Sequence, residues 1–266
     1  MGKQLKYFFL ALGFFTRIPT PHYADFKESD LNNSTKFFPI IGIVVGLIAA
    51  FSFYLASFIF PQVLAIIISM ATSIYLTGGF HEDGLADSAD GLGGGYTRER
   101  ILTIMQDSRL GTYGVLALII MLFAKFQSLN ALNAAIIPAT LVVGHSLSRL
   151  SAVWIIANLK YAKAEGKSKP LATGINAVDL FLANIFGLAP FAVIIFYLAK
   201  TNHSILIISQ FILFTLLPLL ISFLWWRNKI KKNLGGYTGD TLGAMQQIAE
   251  IVFYLGVVAW VTTLDI

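Results

Sequence analysis

The sequence predicts an all-α polytopic membrane bundle of about seven transmembrane helices, with its N-terminus in the cytoplasm. Three observations carry this. Hydrophobic residues make up 56% of the 266-residue chain and charged residues only 12%, about half the charged share that the surface of a soluble domain needs. The apolar residues arrive in runs, several of them near the ~20 residues that cross a hydrocarbon core as a helix. None of the runs alternates with the period of two expected of a barrel strand in lipid. An unpaired backbone amide in lipid costs several kcal/mol, so each span must be a helix that satisfies its own amides.

The elements follow in order. Lys3 and Lys6 precede a short apolar run from Tyr7 to Phe15, too short to span. Thr16-Arg17-Ile18-Pro19 follows in place of a small-residue cleavage site. Residues 5–15 are therefore read as a retained interfacial or re-entrant helix. Spans are expected at about 37–60, 63–79, 113–131, 138–157, 178–199, 204–226 and 246–264. Lys125 interrupts the third, where its long side chain is read as snorkelling to the interface. His145 and Arg149 stand one turn apart in the fourth. An Arg at that depth usually faces a polar interior, which leaves Arg149 to line a substrate cleft or to pair with a carboxylate. Glu250 lies in the first turns of the last span and is left between the same two uses.

Sixteen of the 19 Lys and Arg residues fall in the connections 1–36, 80–112, 158–177 and 227–245. Cytoplasmic loops carry such an excess, so this set is placed inside and Asp265 outside. Without repeats, low-complexity tracts or an appended soluble region, 1–266 reads as a single membrane domain. The missing repeats count against a transporter built from inverted halves. The net charge of +5 is scattered between apolar runs rather than gathered on a soluble face, which speaks against nucleic acid. Cysteine is absent, which excludes disulfides, thiolate metal sites and cysteine nucleophiles.

Chemistry concentrates in the loop 80–112. Six of the 14 acidic residues lie between Glu82 and Asp107. Asp83, Asp87 and Asp90 are spaced i, i+4, i+7, so they share one face if the second span continues helically beyond the membrane. Three like charges on one face repel, and a divalent cation reverses that balance. Oxygen donors suit Mg²⁺ or Mn²⁺, and about 10 Å of helix has room for one ion or two. Glu82 is the next candidate ligand. Acidic loops are often merely solvated, but here Arg98, Arg100 and Arg109 follow, and arginine binds phosphate as a two-pronged donor. Asp107 stands where it can orient Arg109. A second glycine-rich stretch, Gly235 to Gly243, resembles a backbone nest at a helix start, where Gly236, Thr238 and Asp240 would meet an anion or a ribose. A plain turn between helices is its other reading.

Longer blocks carry a resemblance. The run His81-Glu82-Asp83-Gly84-Leu85-Ala86-Asp87-Ser88-Ala89-Asp90-Gly91, with Arg98-Glu99-Arg100 and Asp107-Ser108-Arg109-Leu110-Gly111 after it, closely resembles the cobalamin synthase family, the adenosylcobinamide-GDP ribazoletransferases. Phe15-Thr16-Arg17-Ile18-Pro19 and Gly235-Gly236-Tyr237-Thr238-Gly239-Asp240-Thr241 look like that family's other signatures. The resemblance implies a Mg²⁺-assisted, multi-pass enzyme of the bacterial inner membrane with its active site facing the cytoplasm. Its substrates would be adenosylcobinamide-GDP and α-ribazole or α-ribazole 5′-phosphate, joined with release of GMP. Chemistry of that kind needs metal ligands, here Asp83, Asp87, Asp90 and Glu82. It also needs a base for the attacking hydroxyl, with Asp90 and His81 as rivals. The alternatives are a CDP-alcohol-type phosphotransferase, whose signature has Arg where this chain has Asp87, and a cation transporter, whose site should lie near the midplane. The oligomeric state is left open.

Overall fold

A computed structural model describes residues 2–21, 27–162, 173–201 and 203–264. Lys163, Lys167, Lys169 and Asp265, which entered the assignment of sides, lie outside the described residues. Among those residues the chain forms eleven α-helices: α1 (Lys3–Phe15), α2 (Glu28–Ser34), α3 (Phe38–Ser57), α4 (Gln62–Thr77), α5 (Phe80–Gly94), α6 (Arg98–Ile104), α7 (Thr112–Asn130), α8 (Ile137–Asn158), α9 (Ala177–Lys200), α10 (Ile205–Leu234) and α11 (Gly239–Thr263). Six of the long helices are apolar enough to cross a membrane, or seven if the bent pair α4 and α5 is counted as one span. The only β element among the described residues is an isolated bridge between Tyr161 and Tyr237. The molecule is a polytopic helical membrane bundle.

Its centre is α8, whose buried residues run around the whole helix from Ile137 to Ile156. It meets α3 at the small-residue pair Gly42 and Gly46. A side-chain carbon on Gly46 would come within 2.7 Å of the Val142 backbone, and one on Gly42 would strike the His145 carbonyl. Association in lipid depends on such close backbone approach, because apolar side chains gain nothing by leaving lipid for one another. The large apolar side chains that stay exposed, among them Phe51, Ile120, Phe123 and Phe196, lie on the outer faces. Those are the faces lipid covers.

Three expectations are corrected. The second span does not run straight on into the acidic helix. Gly78 and Gly79 both take the left-handed conformation, with φ of 70° and 72°, a region nearly closed to residues with a β-carbon. The chain turns by 85° there, and α5 lies across the end of the bundle. The connection expected at 227–245 is mostly helical. α10 has 30 residues, about 45 Å of helix, and its Arg- and Lys-bearing last turns outrun a hydrocarbon core of ~30 Å. It stops at left-handed Gly235, φ 73°, and α11 begins at Gly239 rather than 246. Lys125 does not snorkel. It is 5% exposed and pairs with Glu250 at 2.9 Å inside the bundle.

Candidate active site

One end of the bundle gathers blocks that are far apart in sequence. α5 packs on the start of α11 where both helices carry glycine: a β-carbon on Gly84 would lie 2.8 Å from the Asp240 carbonyl oxygen, and one on Gly243 3.3 Å from the His81 Cα. Arg98 donates from Nε to the Leu234 carbonyl at 2.8 Å and from Nη2 to the Ala162 carbonyl. Tyr237 donates its amide to Lys160 O at 3.0 Å, and Ala162 returns one to Tyr237 O at 2.8 Å. Residue 17 is tied in by its amide, which donates to Leu76 O at 2.8 Å.

Beside α5 lies a cleft of about 680 Å³, walled by Arg17, Gly79, Glu82, Asp83 and Leu110 among others. Glu82 and Thr77 also line a second, narrow cavity of about 20 Å³ that reaches into the bundle, room for one water-sized group. This inner space is polar at membrane depth. Glu82 accepts from Gln247 Nε2 at 3.1 Å; Gln247 Oε1 accepts from Lys125 Nζ at 2.6 Å; Lys125 pairs with Glu250 at 2.9 Å. Glu250 also accepts from Tyr254 at 3.2 Å and faces His145 Nδ1 at 3.3 Å. Arg149 donates from Nη1 to the His145 carbonyl at 3.0 Å, while its Nε and Nη2 are buried with no partner among the described residues, as are His81 Nε2 and Glu82 Oε2. Gln247 is not among the residues singled out from the sequence, and Glu250 is undecided there. The available signal was their spacing, one helical turn apart in α11.

The expected site residues divide by burial. Asp83 is exposed in the cleft, Asp87 is half-buried one turn on, and Asp90 is buried. The three share a helical face, yet no three of the described His, Asp and Glu side chains converge as a ready-made metal cage. Asp90 has other work: its two carboxylate oxygens accept the amides of Gly111 at 2.8 Å and Gly114 at 2.9 Å, which caps α7. His81 is buried and stacked on Phe15, ring centroids 5.7 Å apart. Of the arginines, Arg98 is bound to carbonyls as described and Arg100 is exposed on α6. Arg109 pairs with Asp107 at 2.6 Å, and this side-chain hydrogen bond holds the Asp107 carboxyl down at about 2. Arg149 is deep in the bundle, 1% exposed.

The expected nest at Gly235–Gly243 is a turn whose amides are largely in use. Thr238 and Thr241 exchange hydrogen bonds in a capping box, N–H to Oγ1 at 2.8 and 3.2 Å. Gly236 is held against the Lys160 carbonyl. Asp240 stands half-buried in the first turn of α11 beside Gly84.

A family model described as cobalamin-5-phosphate synthase matches residues 7–258. The chain belongs to that family. Among its curated relatives, the adenosylcobinamide-GDP ribazoletransferase of Shewanella amazonensis is 46% identical over 259 residues, 95% of each chain. The protein of the same name from Shewanella piezotolerans is 42% identical over 260 residues, again 95% of each chain. No solved structure matches. The family match covers the α5 face and the Arg17 turn, which line the cleft, and the start of α11, which packs on α5.

Divalent metal can be judged against the donors present. Mg²⁺ is commonly held by one or two carboxylates with water and substrate phosphate completing six positions. Asp83 open to the cleft, Asp87 one turn along and Glu82 with an unpartnered buried oxygen fit that mode. They do not form an all-protein cage.

Proposed function

We propose that this cobalamin-5-phosphate synthase family member joins adenosylcobinamide-GDP to α-ribazole, or to its 5′-phosphate, and releases GMP. The acceptor's ribose hydroxyl attacks the phosphorus next to cobinamide. A new P–O bond forms, the bridging P–O bond of the diphosphate breaks, and its electron pair leaves on GMP. The observation that carries this reading is one cleft lined by Asp83, Glu82 and Arg17, with a volume of about 680 Å³ that has room for a diphosphate and a ribose.

Transfer of this kind depends mostly on positioning and on neutralising charge. Asp83, with Asp87 and Glu82, would hold Mg²⁺ or Mn²⁺, which supplies positive charge to the phosphate oxygens when bound. Gln247, itself held by Lys125, fixes the Glu82 carboxylate from the inner-cavity side. Of the two rivals for the hydroxyl proton, we assign His81, whose Nε2 lacks a partner among the described residues. It lines the inner cavity that shares Glu82 and Thr77 with the cleft. Both Asp90 oxygens already accept amides. The basic residues on this end support a cleft on the cytoplasmic face of the inner membrane.

The test is GMP release by the protein in nanodiscs supplied with adenosylcobinamide-GDP and α-ribazole while Mg²⁺ is titrated. Asp83→Asn and Asp87→Asn should each lower turnover at least about 100-fold, the scale of losing one preorganised electrostatic contact in a transition state, with the fold intact. Undiminished turnover by the folded double variant, or after complete chelation, overturns the metal assignment. No GMP release by the unmodified chain overturns the reaction.

A further inference from the structure

We infer that Arg17 is a binding residue for the diphosphate of the nucleoside-diphosphate-linked donor, held in place by the glycine break at residues 78 and 79. The inference rests on the reaction proposed above and adds a residue to its donor site. It starts from how the turn after α1 is built. Thr16 Oγ1 donates to Leu12 O at 2.7 Å and accepts the Ile18 amide at 3.2 Å, so residue 17 leaves the helix in a fixed direction. The Arg17 amide then donates to Leu76 O at 2.8 Å, its guanidinium carbon lies 5.2 Å from the Tyr75 ring centroid, and its side chain runs over Gly78. A β-carbon on Gly78 would come within 3.0 Å of Arg17 Nε. Gly78 is therefore needed twice, for its positive φ and for the room the arginine occupies.

The guanidinium makes no ion pair and no side-chain hydrogen bond among the described residues. Among the described residues it is also the sole Lys or Arg in the wall of the 680 Å³ cleft, which otherwise presents the carboxylates Glu82 and Asp83. A diphosphate entering beside two carboxylates needs a positive partner in the same cleft. An arginine already stacked on a ring and anchored by its backbone offers five donors with little left to immobilise. Gly79 and Phe80 at the start of α5 belong to the same wall, so the first amides of that 15-residue helix, which have no intrahelical acceptor, favour the same anion. The phosphate of a lipid headgroup has the same chemistry, and the experiment separates the two sources.

GDP binding is measured by calorimetry on the full chain in nanodiscs of neutral phosphatidylcholine and, separately, of anionic phosphatidylglycerol, with EDTA and then with Mg²⁺. Arg17→Met should weaken GDP at least about tenfold in neutral discs under both conditions, with Arg17→Lys recovering part of the loss. Gly78→Ala, which displaces the guanidinium, should repeat the Arg17→Met effect. In turnover the KM for adenosylcobinamide-GDP should rise while that for α-ribazole holds. Unaltered GDP affinity in folded Arg17→Met overturns the inference, and so does a loss confined to anionic discs, which would make Arg17 a lipid contact. If Arg17→Met does not fold, Arg17→Lys and Gly78→Ala decide by the same measure. GDP binding that depends on Arg17 in a chain releasing no GMP would sink the proposed reaction and spare this site.

Discussion

Asp90 offers the sharpest division between a structural and a chemical role, and Asp90→Asn is the perturbation that separates them. The carboxylate is 8% exposed and accepts two amides, from Gly111 at 2.8 Å and Gly114 at 2.9 Å, at the start of α7. Asparagine keeps the shape, but only its oxygen accepts. Its NH₂ meets the other amide donor to donor, so one charge-assisted bond worth about 1.5–3 kcal/mol is lost and the other falls to the neutral range of about 1 kcal/mol. Removing a negative charge from a helix N-terminus costs a further ~0.3–1 kcal/mol. The sum is about 2–6 kcal/mol, or a fall in Tm of roughly 5–20 °C for a chain of this size. Thermal unfolding followed by tryptophan fluorescence in detergent measures it, beside GMP release normalised to folded protein. Lower stability with turnover per folded molecule retained within about tenfold is the expected result. Full stability with turnover reduced by more than about 1,000-fold would refute the capping argument and restore Asp90 as the base.

Three other perturbations follow from the same geometry. Lys125→Met leaves Glu250 facing an apolar neighbour and should cost about 3–5 kcal/mol, as breaking a buried pair does. Adding Glu250→Gln should recover part of that in denaturant titration, and a double variant no more stable than the single would count against the pairing. Gly46→Val places methyl groups where the Val142 backbone lies within 2.7 Å of the first added carbon. Forcing α3 from α8 should lower the yield of monodisperse protein several-fold in size-exclusion chromatography, at a cost of about 1–3 kcal/mol or more. Arg98→Lys gives up the fork that reaches Leu234 O and Ala162 O. It should lower stability by about 1–3 kcal/mol while the KM for the donor stays within twofold; a tenfold rise in that KM at native stability would return Arg98 to phosphate binding.

Much of the fold was legible because lipid imposes simple rules. Apolar run length marked a helix at each expected span, including α7 despite Lys125, and the helical phase of Asp83, Asp87 and Asp90 was correct. The site was less legible, because the roles of its residues depend on partners distant in sequence. Arg98 and Asp90 look like phosphate and metal groups in isolation, yet one holds carbonyls at 162 and 234 and the other holds amides at 111 and 114. Arg17 entered the sequence reading only as part of a motif, and nothing local indicates that residue 78 will sit beneath it.

Sequence alone therefore determined the solvent this chain folds in, the helices that cross it and the family to which its signature blocks point. Periodicity and hydropathy are local properties, and a membrane leaves a chain few alternatives to the helix. Tertiary structure decided which charges come together: the bend at Gly78–Gly79, the pairing of Lys125 with Glu250 through the bundle, and the placing of the Arg17 turn and Asp83 in the lining of one cleft. Electrostatic and hydrogen-bond roles depend on separations of about 3 Å, and helix packing sets these between residues dozens of positions apart.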